Sequence, residues 1–126
     1  VHSVLRKEAM REVVALIARD PSTRAQIATC LADAGFSIEA FVDAPPVDGT
    51  LVSAVWVVER NEEPNAVAES IRPWLTAGRR RRAVIVTWRP SSVRDVLADS
   101  DRYEVLVPPV FPWQIADALR APGGRW

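Results

Sequence analysis

One cysteine and one histidine in 126 residues exclude a good deal of chemistry at the outset. Cys30 has no second thiol with which to close an internal disulfide. It falls among Ala28, Leu31 and Ala34 on a predicted helix, where a buried, inert thiol is the expectation. His2 stands at the extreme N-terminus, so His-dependent acid–base catalysis and clustered zinc ligation lose their usual groups. Excess charge is missing too: 16 Lys+Arg balance 16 Asp+Glu, which removes any bulk attraction to nucleic acid or an acidic membrane. No apolar run approaches a membrane span, and residues 1–12 lack the apolar core of a signal peptide. A cytoplasmic location is the default expectation.

What is present is ordinary globular material, 48% hydrophobic and 25% charged, enough for one domain with a full core. Residues 1–11 read as an extension or linker, 12–121 as the domain, and 122–126, with Pro122-Gly123-Gly124, as a flexible tail. The most apolar stretch, Val13 to Ala18, reads as a central buried strand. It empties through Arg19 into Asp20-Pro21, an N-cap followed by a proline at the first helical position. A helix follows with Ile27, Ala28, Leu31 and Ala34 recurring on it and Gly35 as its stop. Residues 36–42 alternate loosely, as an edge strand does.

Residues 43–50 contain Pro45-Pro46 and Asp48-Gly49, refuse both helix and strand, and are too few for a full crossover helix. A third strand over 51–58 is apolar on both faces and hence central. Pro64-Asn65 opens a helix with Val67, Ile71, Trp74 and Leu75 on one stripe, and Pro73 inside that pattern predicts a kink or an end near Arg72. A strand over 83–88 comes next, then a helix capped by Ser91 or Ser92 that carries Val93, Val96 and Leu97. A strand over 103–107 and a helix opened by Pro112, with Ile115, Ala116 and Leu119, complete the order. Alternating elements with right-handed crossovers imply a parallel sheet with helices on both faces.

This order, with a few marker residues, resembles the receiver domain of two-component response regulators over about residues 12–121. The resemblance implies an α/β, flavodoxin-like three-layer sandwich whose five-stranded parallel sheet runs in order 2-1-3-4-5; residues 43–50 make the second crossover helix short or missing. It also implies that chemistry lies beyond the carboxyl ends of the strands, and there the sequence departs from the family. The two carboxylates that hold magnesium in receivers match Ala18 and Arg19, with Asp20 following. The phospho-accepting aspartate matches Val58, or Glu59 if the register slips by one. The hydroxyl of the fourth strand matches Thr87, but the small residue after it is Trp88, whose indole crowds the place a phosphoryl group enters. The lysine ending the fifth strand is replaced by Pro108, while Pro109 matches the proline after it, often cis. The aromatic that switches rotamer maps to Val105, with Tyr103 two residues earlier on the same face.

Magnesium takes hard oxygen ligands, and phosphoryl transfer depends on that metal and a lysine. With neither provided for, the resemblance implies a pseudo-receiver: no metal, no cofactor and no enzymatic activity. Such a signalling module acts by contact with a protein partner or its own effector domain, within or beside a transcriptional or other regulatory protein. Arg19 is expected to pair with Asp20 or Glu59. Asp20 reads first as a helix cap, Thr87 as a structural hydroxyl, and Glu59 as a solvated loop acid or, alternatively, a mimic of phosphoaspartate. The arginine run over 79–82, without interleaved aromatics, reads as a solvated face rather than a nucleic-acid contact. Trp56 and Trp74 have core spacing. Trp88, Tyr103, Phe111 and Trp113 map near the fourth and fifth strands and the last helix, where aromatics would anchor a homodimer. Two rivals stand beside this reading. One is an unconventional phospho-acceptor using Glu59 or Asp20; the other is a flavodoxin-like domain holding a small ligand, against which no Gly-rich phosphate loop follows the first strand.

Overall fold

A computed structural model describes residues 12–120. The expected N-terminal extension and C-terminal tail lie outside the described residues. Strands and helices follow as β1 (Val13–Ile17), α1 (Pro21–Asp33), β2 (Ser37–Phe41), β3 (Ser53–Val57), α2 (Pro64–Thr76), β4 (Arg82–Val86), α3 (Pro90–Val96), β5 (Tyr103–Leu106) and α4 (Pro112–Arg120). All neighbouring strands pair in parallel, in the order β2-β1-β3-β4-β5. The expected architecture is therefore the observed one, with β2 and β5 at the edges and no helix between β2 and β3.

Period-two alternation along the central strands splits the core in two. Val14, Leu16, Val55, Val57, Val84 and Val86 face Ile27 and Leu31 of α1 and Ile115 and Leu119 of α4. Ala15, Ile17, Ala54, Trp56, Ala83 and Ile85 face Ile71, Trp74 and Leu75 of α2 and Val93 of α3. On this second face the register puts Ala15 beside Ala54 and Ala54 beside Ala83, a row of small side chains across three strands. The fully buried Trp74 fills space from the helix side and meets Trp56 edge to face, with centroids 5.7 Å apart. Both tryptophans are core, as their spacing predicts.

Proline opens every helix: Pro21, Pro64, Pro90 and Pro112 each occupy the first position, where the missing N–H costs nothing. Asp20 caps α1, its Oδ2 accepting from the Thr23 N–H and the Thr23 hydroxyl, both at 2.8 Å. At the other end Gly35, at φ 105°, completes a Schellman turn. Phe36 N–H donates to Leu31 O and Gly35 N–H to Ala32 O, both at 3.0 Å, and Phe36 packs in the same cluster as Leu31.

Several local expectations need correction. Cys30 is exposed, not buried, because α1 turns Ile27 and Leu31 inward and leaves Cys30 on the outer side. Helix α2 runs through Pro73 to Thr76 instead of ending near Arg72. Pro73 and Glu69, whose carbonyl would have accepted the missing bond, both lie on the exposed flank, where water can satisfy it. Neither Ser91 nor Ser92 caps α3; Arg89 stands at the N-cap without a side-chain bond, since Pro90 already starts the helix.

The largest surprise lies in the arginine run. Arg81 is 5% exposed. Its guanidinium donates to Leu51 O at 3.1 Å, Val47 O at 2.6 Å, Gly49 O at 2.6 Å and Trp74 O at 3.0 Å, and its Cζ lies 5.0 Å from the Trp74 ring centroid. One planar fork thus satisfies three carbonyls of the irregular β2–β3 connection, which a crossover helix would have bonded internally, and one in the last turn of α2. Arg79 and Arg80 are exposed, while Arg82 pairs with Glu12 at 3.6 Å. The run is a solvated face only in part.

Candidate functional site

β1, β3, β4 and β5 all stop before their candidate residues, so these sit beyond the strands at the carboxyl edge of the sheet. Ala18 is buried, closing β1 with its N–H on Phe41 O at 3.1 Å. Its carbonyl accepts from Arg24 at 2.7 Å, tying the strand end back to α1. Arg19 turns outward, and it pairs with neither of the expected acids. Its guanidinium reaches Glu62 Oε2 at 3.4 Å and Asp43 Oδ1 at 3.5 Å instead, so it links the loop after β2 to the loop after β3. Asp20 is already engaged by Thr23, which explains the correction: the cap holds its carboxylate along the helix rather than toward Arg19. Those Thr23 hydrogen bonds hold the Asp20 pKa below the usual carboxylate value.

After β3, Val58 continues the apolar alternation and is buried in the core beneath the site. Glu59 is the residue that lines the opening. Its backbone N–H donates to Glu62 Oε1 at 2.9 Å, closing a tight acid-to-backbone turn before Pro64. One of its own carboxyl oxygens, Oε1, is enclosed without a hydrogen-bond partner. Burial, then the neighbouring charges of Asp20 and Glu62, raise the Glu59 pKa above its ordinary value. Glu59 is thus neither a freely solvated loop acid nor half of an ion pair.

Thr87, fully buried, receives the Arg89 N–H on its hydroxyl at 3.1 Å, the structural bond expected of it. Trp88 is 44% exposed and carries the Arg60 guanidinium on its face, with Cζ 3.7 Å from the ring centroid. Beyond β5 the Pro108-Pro109 bond is cis. Phe111 and Trp113, both exposed, stack at 6.4 Å with an interplanar angle of 7°. Tyr103 opens β5 at the opposite end of that strand, half-buried with Val105 against the second core, so the four expected interface aromatics do not form one patch.

Between the β1 end, the loop after β2 and the first turns of α2 lies an open cleft of about 1160 Å3. Its lining includes Ile17, Trp56, Ala66 and Val67, with Asp20, Asp43, Glu59, Glu62 and Glu63 around it and Arg19, Arg60 and Trp88 among them. Sequence reasoning singled out Arg19, Asp20, Glu59 and Trp88 but missed Asp43, Arg60, Glu62 and Glu63. The readable signal for the last two was an acidic pair directly before a helix-opening proline.

These donors do not fit the magnesium ion that receiver domains hold, in line with the departures noted in the sequence. Ala18 offers no ligand, Arg19 brings a positive charge, and Asp20 is committed to its cap. Among the described residues no three carboxylate, imidazole or thiol groups converge as a metal site requires. The only lysine of the sequence, Lys7, lies outside the described residues.

No protein-family model and no curated protein sequence matches the chain. Solved structures do match. The chemotaxis response regulator CheY4 of Vibrio cholerae superposes at TM-score 0.67 with 16% identity, over 88% of this chain and 98% of that one. A response regulator receiver protein from Sinorhizobium medicae gives 0.65 and 13%, over 87% and 92%. A Burkholderia pseudomallei response regulator solved with a phosphorylated aspartic acid, calcium ion and citrate gives 0.69 and 12%, over 87% and 67%. The chain has the flavodoxin-like fold of receiver domains. At such identities that is a statement about fold, and function has to be argued from the site.

Proposed function

We propose that this chain is a non-catalytic signalling module on a receiver fold, one that works by protein–protein contact without the magnesium-dependent aspartyl phosphorylation cycle. The observation that carries the reading is the pairing of Arg19 with Glu62 and Asp43: a guanidinium stands among the acids at the carboxyl edge of the sheet. Buried Val58, the Thr23-bound Asp20 and the absence of any lysine in residues 12–120 support it. A protein partner fits better than nucleic acid, because Arg81 and Arg102 commit their guanidinium groups to backbone carbonyls and Arg82 pairs with Glu12. The exposed Phe111–Trp113 stack is an apolar anchor suited to a homodimer. No helix among the described residues is long and apolar enough to cross a membrane.

Incubation with a small phosphodonor and magnesium, followed by intact mass, tests the central part. The expected result is an unchanged mass. A stoichiometric gain of one phosphoryl group, mapped to Glu59 or Asp20, would establish the unconventional phospho-acceptor instead. Sedimentation tests the dimer: Trp113→Ala should shift the wild type toward monomer, and a wild type already monomeric at high concentration would remove that part of the reading.

A further inference from the structure

The connection between β2 and β3 covers only part of the face it crosses. Near the start of β3, Arg81 pins Val47, Gly49 and Leu51. At the other end, Val42, Asp43 and Ala44 form one wall of the open cleft, with Ala66 and Val67 of α2 opposite and Trp56 at its floor. Parallel strands are ordinarily joined by a crossover long enough to lay a helix on the sheet, and here no helix occupies that place.

We propose that the cleft is the docking site for a basic amphipathic helix of a partner protein, which sets its apolar stripe between Val42 and Val67 and its cationic side chains among Asp20, Glu59 and Glu62. This deepens the contact-module reading by naming the surface and the chemistry of what binds it.

Charge complementarity selects the partner. Five carboxylates against two guanidinium groups line the cleft, although the chain as a whole is neutral. Glu59 keeps an enclosed oxygen without a partner, and burial first, then the charges of Asp20 and Glu62, raise its pKa. An ammonium or guanidinium group placed there would supply the missing donor and relieve the like-charge repulsion. The apolar wall is also available, since Val42 is 52% exposed.

No described helix of a second copy has the charge this site asks for. Each of the four described helices carries one arginine against one acid, so none has a net positive charge. Residues 1–11 do carry Arg6, Lys7 and Arg11 against Glu8. They join the domain at the start of β1, however, at the opposite end of the sheet from the cleft.

The probe is a short synthetic peptide of leucine and lysine at helical spacing, with its leucine–glutamate counterpart as control, titrated calorimetrically into the full chain. The lysine peptide should bind saturably at one site and weaken about tenfold or more in high salt. Ala66→Trp and Ser70→Trp, both at exposed positions of α2 that line the cleft, should each weaken it by about tenfold or more, while Trp113→Ala leaves it unchanged. Equal binding of the glutamate peptide, no saturable binding, or full affinity in both tryptophan variants would overturn the proposal. So would dissociation of a wild-type dimer by Ala66→Trp, which would put a second copy in the cleft. A rise in peptide affinity of about tenfold in Arg6→Glu/Lys7→Glu/Arg11→Glu would put the chain's own N-terminal segment there. Each of these results can occur with the phosphodonor experiment unchanged, so the two readings fail separately.

Discussion

The two faces of the sheet are built by the same strands and finished differently. On one, α1 and α4 cover alternating valines and leucines. On the other, α2 and α3 cover a row of alanines, two tryptophans fill the space, and the β2–β3 connection provides an arginine-pinned loop where a helix would lie. The closed face is finished by non-directional apolar burial, whereas the open face adds to its own buried core a few directional contacts over the β2–β3 loop and keeps a cleft. The proposed recognition falls on the open face alone.

That contrast can be broken from either side, and the largest effects should come from the two cores. Leu16→Ala on the closed face and Trp74→Ala on the open one should each cost about 3–5 kcal/mol in denaturant unfolding, since both side chains are fully buried. Arg81→Met should cost about 2–3 kcal/mol, because it strips four charge-assisted bonds from backbone carbonyls at once. Its signature should be local: hydrogen exchange and proteolysis rise over residues 42–52 and stay unchanged in α1. If Arg81→Met is neutral, the connection holds itself and the contrast between the faces loses its basis.

Smaller effects sharpen the comparison at the strand ends. Arg19→Ala should change stability by no more than about 0.5 kcal/mol, because the guanidinium is largely exposed and its ion pairs are screened. Glu59 and Asp20 should show opposite pH behaviour. The Glu59 pKa is raised on folding, so its charged form opposes the fold. Glu59→Gln should therefore stabilise at neutral pH, with the gain vanishing as pH falls below about 4, where the wild-type carboxyl is protonated in both states. The Asp20 pKa is lowered, so its contribution is present above the unfolded value near 4 and lost as pH falls through the folded one. Asp20→Asn, which keeps a cap, should remove that dependence. Melting curves across pH read both, and parallel slopes for the two variants would contradict the assignments.

The fold was legible because its signals are local and repeated. Apolar runs separated by proline-opened helices give the order of elements, and the poverty of residues 43–50 in helix formers gives the missing crossover. The candidate site was half legible. Asp20 beside Pro21 announces its own cap, and a tryptophan after Thr87 announces a changed pocket. Arg81 could not be told from its three neighbours, since burial of one arginine in four is decided by the carbonyls of a loop distant in sequence. Arg19 was assigned the wrong acids for the same reason: Asp43 and Glu62 approach it only once β2 and β3 flank β1. Cys30 misled because α1 is weakly patterned, and only Ile27 and Leu31 define its buried side.

On the proposed function, a guanidinium among acids stands at the carboxyl edge of the sheet in place of a metal and phosphoryl site. The most direct measurement is the melting temperature of the wild type with and without magnesium and beryllofluoride, the latter a mimic of a bound phosphoryl group. Anything bound by the folded state alone must raise it by mass action. An unchanged melting temperature across the titration is the predicted result. A saturable rise that requires both magnesium and beryllofluoride would contradict the account.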